Sequence, residues 1–259
     1  MRSLLGCAAV ILVGLTACKK ESSSSGSTVP GPAVEPTKAQ GASPTTVVAP
    51  TVTPEKGQPG AKKANLNEAV TELWTWVGAH LDELGQIQTG KEPVAEELAR
   101  KLDAVDPGLT YELGLGKKPM EIIISADGKK ELFELVKQVV ASAPPLEGAK
   151  VVAFRPRKDP SLKLSVGDTT VSGTDVSFTL AEDEARQGQI AVRLYVKGLT
   201  RENEESVRGA TFLLLEAAVG EYDLETRLGG ISVDPFPEKP RPGMKPLKDL
   251  PAALDRFGR

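Results

Sequence analysis

Apolar positions recur every three or four residues between residues 66 and 105, which is the period of a helix with one buried face. The first predicted helix covers residues 66–84, and its apolar face is formed by Val70, Leu73, Trp74, Val77, Leu81 and Leu84. The second covers residues 92–105, with Pro93 in its first turn and Asp106-Pro107-Gly108 after its last. Proline suits a first turn because the N–H it lacks would have no partner inside the helix there.

A strand–helix–strand unit is predicted next, after a short strand at residues 109–113. Residues 120–126 (MEIIISA) are almost entirely apolar, as in a strand that is buried on both faces. The turn Ala126-Asp127-Gly128 leads into a helix over residues 129–143, and KVVAFRP at residues 150–156 forms the following strand. Since such crossovers join neighbouring strands, we expect the two strands to be parallel.

Apolar and polar residues alternate in the second half of the chain, which is typical of strands with one face in contact with water. The pattern predicts strands at residues 162–171, 174–181 and 189–196, joined as an antiparallel meander. A helix is predicted to follow over residues 202–220, closed by Gly220.

Two further strands, at residues 221–228 and 229–236, are predicted to form a closing hairpin. The proline-rich tail at residues 238–259 is expected to lie across the surface. Together these elements predict an α+β fold with a mixed, largely antiparallel central sheet and helices mainly on one face. We expect a single globular domain over residues 64–259, preceded by a disordered linker.

The chain starts with the features of a bacterial lipoprotein signal. Arg2 precedes Leu4–Leu15, an apolar stretch too short to span a bilayer, which takes about 20 residues. Leu15-Thr16-Ala17-Cys18 then resembles a lipobox, in which the cysteine is acylated and the chain is cut before it. We therefore predict a signal peptide at residues 1–17 and a lipidated Cys18. The alternatives are an ordinary signal peptide with an incidental cysteine, and a cytosolic protein with an apolar start.

Acylation of Cys18 would attach the protein firmly to a lipid bilayer. Each buried CH₂ contributes about 0.8 kcal/mol, so two or three acyl chains give a stable anchor where one does not. Residues 18–63 contain seven prolines and no aromatic residue, a composition that predicts a disordered tether. A flexible coil of this length spans roughly 40 Å, so the domain is expected to reach some distance from the membrane.

Charge and residue counts narrow the function of residues 64–259. This part has 25 Lys and Arg against 32 Asp and Glu, and an acidic balance argues against nucleic-acid binding. Cys7 falls within the signal peptide, so the folded part has no cysteine, and His80 is its only histidine. A zinc site needs several His or Cys ligands, and no serine stands in a nucleophile-elbow motif. We therefore predict no metal site, no cofactor and no catalytic triad.

Three residues near the ends of the two predicted parallel strands are candidates for binding. Asp127 follows a buried strand, where ligand sites often lie, although the same residue type also serves as a turn residue or helix cap. Arg155 and Arg157 leave the next strand at the same edge and could receive an anionic group. The alternative for both arginines is a solvated loop or salt bridges to the acidic domain.

Two more candidates lie elsewhere in the sequence. Glu221, close to Asp223, could support acid–base chemistry or Ca²⁺ binding, although no EF-hand spacing is present. A polar loop that enters a strand is the alternative. Trp76 is a candidate binding aromatic or a core residue, whereas Trp74 is predicted to be in the core.

The domain resembles a family of uncharacterised bacterial proteins. The residues that carry this resemblance are LWTWVGAHLDEL at 73–84, MEIIISADGKKELFELVKQVVASAPPLEGAKVVAFRPR at 120–157, and LLLEAAVGEYD at 213–223. The resemblance implies a shared fold and carries no catalytic residue over to this chain.

These features predict a membrane-anchored envelope lipoprotein with a non-enzymatic binding or structural domain. Its expected partners are the bilayer, through acylated Cys18, and an envelope protein. Lys19 follows the cysteine where aspartate would signal retention at the inner membrane, which favours the outer membrane. The alternatives are an enzyme acting on an anionic envelope substrate, with Asp127, Arg155 and Glu221 converging, and an immunity or inhibitor lipoprotein that masks a protein partner.

Overall fold

The computed structural model describes residues 59–90, 92–116, 118–166 and 169–257, with side chains from residue 65 onwards. The predicted signal peptide, the lipidated Cys18 and the tether up to residue 58 lie outside the described residues. Helix α1 (Pro59–Ala79) begins within the stretch predicted as tether.

The part of the described chain that precedes residue 155 is here called the amino-terminal lobe. Its helices and strands, in order, are α1, α2 (Leu81–Leu84), α3 (Pro93–Val105), β1 (Thr110–Gly114), β2 (Met120–Ser125), α4 (Phe133–Ala141) and β3 (Ala149–Ala153). Strand β2 lies at the centre of a sheet, antiparallel to β1 and parallel to β3. The predicted parallel pair around a crossover helix is thereby confirmed.

The described residues from 162 to 257 form the carboxy-terminal lobe. Its elements are β4 (Lys163–Val166), β5 (Thr169–Ser172), β6 (Val176–Glu182), β7 (Ile190–Val196), α5 (Glu204–Val219), α6 (Glu221–Arg227), β8 (Leu228–Pro235), β9 (Lys245–Pro246) and α7 (Leu250–Arg256). Strands β4 and β5 pair as a separate hairpin, and the main sheet has the order β8-β7-β6-β9. Strands β6 and β7 are antiparallel, whereas β7 and β8 are parallel.

Each lobe is built around its own apolar core. In the amino-terminal lobe, Trp74 is 2% exposed, as predicted, and its indole N–H donates to the carbonyl of Val139 at 2.9 Å. In the carboxy-terminal lobe, helix α5 contributes Leu214 and Leu215, which are fully buried among residues of the main sheet and of α7. The α+β class with largely antiparallel strands is confirmed, and the strands of the described residues lie in three sheets where the sequence predicted a central one.

Two elements of the carboxy-terminal lobe differ from the sequence predictions. Residues 221–227 form helix α6 where a strand was predicted, because Gly220, at φ 78°, redirects the chain and Glu221 is held by the other lobe. Two antiparallel strands, β4 and β5, replace the one strand that was predicted over residues 162–171. The proline-rich tail, which was expected to lie across the surface, also contributes to the core, because Leu247, Leu250 and Leu254 are fully buried.

Candidate functional site

The two lobes meet at a seam formed by the carboxyl ends of β2 and β3, the start of α6 and the segment 154–158. Phe154 belongs to the core of the amino-terminal lobe. Four residues later, the amide of Lys158 donates to the carbonyl of Ala217 on α5, at 2.6 Å. The chain therefore crosses from one lobe to the other along this short segment, and the candidate residues Arg155 and Arg157 lie on it.

Glu221 is the buried acidic group of the seam. It is the first residue of helix α6, yet it is only 1% exposed. Its Oε1 accepts the backbone N–H groups of Ala126, at 3.0 Å, and Gly128, at 3.3 Å, and its Oε2 accepts that of Arg155, at 3.0 Å. The amide of Glu221 returns a hydrogen bond to the carbonyl of Arg155, also at 3.0 Å. A carboxylate of the carboxy-terminal lobe thus satisfies three backbone donors of the strand ends.

The backbone around Glu221 adopts conformations that side chains other than glycine disfavour. Asp127 has φ 51° and Phe154 has φ 66°, and both residues are adjacent to donors to the Glu221 carboxylate. Gly220 has φ 78°, and a Cβ there would lie 3.2 Å from the carbonyl oxygen of Arg155. Such left-handed residues persist where the surrounding structure stabilises them, and they concentrate at functional sites.

Arg155 is the centre of an ionic cluster beside Glu221. Its Nε donates to Glu112 at 2.8 Å, and its two terminal nitrogens donate to Glu216 at 3.2 Å and to Asp127 at 3.0 Å. Lys158 binds the other oxygen of Glu112 at 2.9 Å. Because Glu112 lies on β1 and Glu216 on α5, the guanidinium joins both lobes.

Burial and neighbouring charges shift the pKa values of this cluster in opposite directions. Burial favours the neutral form of Arg155, but the carboxylates of Glu216, Asp127 and Glu112 outweigh it and raise the pKa of Arg155 above its ordinary value. Burial raises the pKa of Glu216, and the nearby guanidinium of Arg155 only partly offsets this. Arg155 therefore remains charged, and Glu216 depends on it for stabilisation of its ionised form.

Arg157 forms a second ionic group with the carboxy-terminal lobe. Its terminal nitrogens bind both oxygens of Asp255 on α7, at 2.9 and 2.8 Å, and Asp223 on α6, at 2.5 Å. Its Nε donates to the carbonyl of Val219 at 3.1 Å. The hydrogen bond to Asp255 is the main reason why the pKa of Arg157 is raised. Arg157 thus fastens the connecting segment to the ends of α5, α6 and α7.

An aromatic cluster closes one side of the seam. The ring of Tyr222, next to Glu221, lies 5.7 Å from that of Phe133 and 5.2 Å from that of Phe154, centre to centre. Tyr222 remains 41% exposed, and the ammonium of Lys137 lies 5.2 Å from its ring. Apolar contact between the lobes therefore accompanies the ionic contacts.

The structure brings four of the five candidate residues together and places the fifth elsewhere. Asp127, Arg155, Arg157 and Glu221 all lie at the seam, where hydrogen bonds join them to one another or to neighbouring elements. Glu221 does so from a helix, whereas the polar loop considered for it would have led into a strand. Trp76 lies on α1, where its ring stacks on that of His80 at 4.4 Å.

Trp76 also lines an open concavity of about 680 Å³ on the surface of the amino-terminal lobe. The other residues around this concavity are Asn67, Glu68, Thr71, Glu72, Thr75 and Lys101. His80 donates from Nδ1 to the carbonyl oxygen of Trp76, at 2.8 Å, which explains the single histidine as a local partner of the helix.

Sequence reasoning missed Glu112 and Glu216, the two carboxylates of the seam that are least exposed after Glu221. Their side chains are 15% and 16% exposed. Glu112 is the one acidic residue of the short strand β1, and Glu216 follows three consecutive leucines on α5. An acidic residue within a predicted strand or directly after an apolar run is the signal that could have found them, because burying a charge is costly unless it is paired.

The seam can hold a carboxylate with backbone amides and can bind carboxylates through two arginines. Among the described residues, no cluster of three or more potential metal-binding side chains is present. No helix in the described ranges is long and apolar enough to cross a membrane. These features define a two-lobed α+β protein whose candidate site is the junction of its lobes. No protein-family model, curated protein or solved structure matches the chain.

Proposed function

We propose that this protein is a membrane-anchored envelope lipoprotein whose folded part is a non-enzymatic binding or structural domain. The observation that carries the proposal is the sequence Leu15-Thr16-Ala17-Cys18 directly after a short apolar stretch. The proline-rich composition of the residues that follow supports a tether between the anchor and the two lobes.

The geometry of the seam supports a structural role for its charged residues. The guanidinium of Arg155 binds three carboxylates, and the carboxylate of Glu221 accepts three backbone N–H groups. An enzyme acting on an anionic substrate would have to displace these partners before Arg155 or Glu221 reached the substrate. The convergence of Asp127, Arg155 and Glu221 therefore favours a joint between lobes over a catalytic centre.

Lipidation is tested by replacement of Cys18 in source cells supplied with a labelled fatty acid. We expect the Cys18→Ser protein to lose the label and to keep residues 1–17, because cleavage at a lipobox follows acylation of its cysteine. Intact-mass measurement checks both changes. The native protein is expected to carry the label and to fractionate with the outer membrane.

Cys7→Ser is the matched control, since Cys7 is the other cysteine of the chain and lies inside the predicted signal peptide. That variant should be acylated and cleaved like the native protein. An unlabelled native protein that begins at a residue other than Cys18 would show that the signal peptide is of the ordinary secretory kind.

A second candidate function, masking of a protein partner, is favoured by an apolar pair on helix α5. Phe212 is 40% exposed and Leu213 is 37% exposed, although both are large apolar residues. Exposed neighbouring apolar side chains are suited to the centre of a protein–protein contact.

Crosslinking in intact source cells, followed by pull-down, tests this second candidate. A stoichiometric partner that is lost in a Phe212→Ser/Leu213→Ser double variant and kept in Glu205→Gln, an exposed position of the same helix, would support it. Equal recovery of the partner with both variants would place the binding surface elsewhere on the protein.

A further inference from the structure

The backbone amides that hold Glu221 come from the amino-terminal lobe and from Arg155, the first residue after it, and they converge on one carboxylate. Ala126 and Gly128 belong to the turn after β2, and Arg155 follows the end of β3. Their N–H groups lie 3.0 to 3.3 Å from the two oxygens of a single carboxylate. Backbone N–H groups that point into one concavity can bind an anion in proteins generally.

The turn after β2 has a backbone conformation that directs the N–H groups of Ala126 and Gly128 toward the same oxygen. Asp127 and Gly128 are both left-handed, at φ 51° and 74°. The amide of Asp127 itself points away from Glu221 and donates to the hydroxyl of Ser125, a fully buried residue, at 2.9 Å. The side chain of Asp127 is bound by Arg155. Each of these contacts lies within the amino-terminal lobe or its exit, so contacts outside α6 help to hold the arrangement.

The occupant comes from the other lobe. Glu221 is the first residue of a helix that packs against α5 and β8 of the carboxy-terminal lobe, and its carboxylate enters from there. The three backbone amides therefore act as a binding site, and the Glu221 carboxylate acts as a ligand that belongs to the same chain.

We propose that the backbone amides of Ala126, Gly128 and Arg155 form a carboxylate-binding site where the chain leaves the amino-terminal lobe, and that Glu221 is its tethered ligand. The site takes a carboxylate because its donors are divided between two oxygens, two N–H groups on one and one on the other. Joining of the two lobes is thereby coupled to occupancy of this site. A carboxylate of a partner molecule binds there only by displacing Glu221.

Acetate is the probe that tests the site, because Glu221→Ala removes one CH₂ group and one carboxylate, which are nearly the atoms of acetate. In the full-length Glu221→Ala protein, we expect sodium acetate to raise Tm by about 3 °C or more over sodium chloride at the same ionic strength, since a ligand that binds only the native state stabilises it. The rise should saturate with acetate concentration.

Two proteins serve as controls. In the native protein, the tethered Glu221 carboxylate has a far higher effective concentration than free acetate, so acetate and chloride should give the same Tm. In Glu221→Gln, the amide side chain fills the space, and acetate should again have no specific effect. Phosphate, which is bulkier than acetate, should stabilise the Ala variant less.

An equal response of all three proteins to acetate would overturn the proposal. So would a Tm of Glu221→Ala that is independent of acetate. If this variant does not fold in chloride, its near-ultraviolet circular dichroism is titrated with acetate instead. The proposal then requires a saturable return of the native signal, and continued absence of that signal overturns it. Neither result depends on whether Cys18 is acylated.

Discussion

Replacement of Glu221 by Gln is expected to lower the free energy of unfolding by about 3 kcal/mol. Glutamine has the size of glutamate, but it offers one acceptor oxygen and one NH₂ group in place of two acceptor oxygens. Whichever way the amide turns, its NH₂ group faces a backbone N–H, either that of Arg155 or those of Ala126 and Gly128. A buried donor left without an acceptor costs about 1–3 kcal/mol, and hydrogen bonds to a charged group are stronger than neutral ones.

Urea unfolding of the full-length protein measures this change. Both tryptophans, Trp74 and Trp76, lie on α1, so their fluorescence reports on the amino-terminal lobe, whereas far-ultraviolet circular dichroism reports on both lobes. Loss of the seam should also separate the two transitions, because the lobes would no longer unfold as one unit.

Glu205→Gln is the control for this prediction, since Glu205 is an exposed glutamate in the first turn of α5. Its effect should stay within about 0.5 kcal/mol, as for most surface substitutions. If Glu221→Gln were as mild as Glu205→Gln, the carboxylate of Glu221 would not be what joins the lobes.

The local part of this fold could be predicted because its signals are local. The apolar run MEIIISA, the turn Ala126-Asp127-Gly128 and the amphipathic stretch after it specify the β2–α4–β3 unit through periodicity and turn chemistry alone. The parallel pairing of β2 and β3 then placed Asp127 and Arg155 at the same sheet edge, which the structure confirms. The proximity of Asp127 and Arg155 was therefore predictable from the way the strands are connected, and not from a binding motif.

The partners of Arg155 could not be predicted in the same way. Glu112, Glu216 and Glu221 lie 43, 61 and 66 positions away from it in the chain. Salt bridges within the acidic domain were considered for this arginine, but no local pattern says which of 32 acidic residues approaches it. Packing of the two lobes decides that, and such packing depends on both cores at once.

Helix α6 shows how a tertiary contact overrides a local pattern. In EYDLETRL, apolar and polar residues alternate at the start, so the stretch resembles a strand. In the structure, the buried residues of α6 are Glu221 and Leu224, three positions apart, which is helical spacing. The amide of Glu221 is bound by Arg155, and the amide of Leu224 donates to the carbonyl of Gly220 at 3.0 Å, so that the helix starts directly at the seam.

Replacement of Arg155 by Met is expected to lower the free energy of unfolding by about 3–5 kcal/mol near neutral pH, the usual cost of removing one partner from a buried ionic cluster. Met keeps much of the apolar stem of the side chain but leaves Glu112 and Glu216 without the guanidinium. Arg155 is 22% exposed and these two carboxylates are 15% and 16% exposed, so water compensates for little of the loss.

Arg193→Met is the matched control, because Arg193 is 54% exposed and its ion pair with Asp234 has a distance of 3.6 Å. An exposed pair of this kind contributes about 0–1 kcal/mol.

The cost of Arg155→Met should decrease in acid, and this distinguishes loss of charge pairing from loss of packing. Burial already raises the pKa of Glu216 above its ordinary value of 4.5, and Arg155 acts against that rise. Without Arg155 the pKa of Glu216 in the folded protein rises further, while its value in the unfolded chain is unchanged. A carboxyl whose pKa is raised by folding stabilises the native state below its unfolded pKa, and this contribution is lost as pH increases through the folded pKa. The difference in unfolding free energy between the native protein and Arg155→Met should therefore be largest at about pH 7 and smaller at about pH 5, where Glu216 of the variant is protonated to a greater extent. Urea unfolding of both proteins at the two pH values measures this difference. If the difference stays constant or grows in acid, Arg155 stabilises the seam through the packing of its apolar stem and not through its charge.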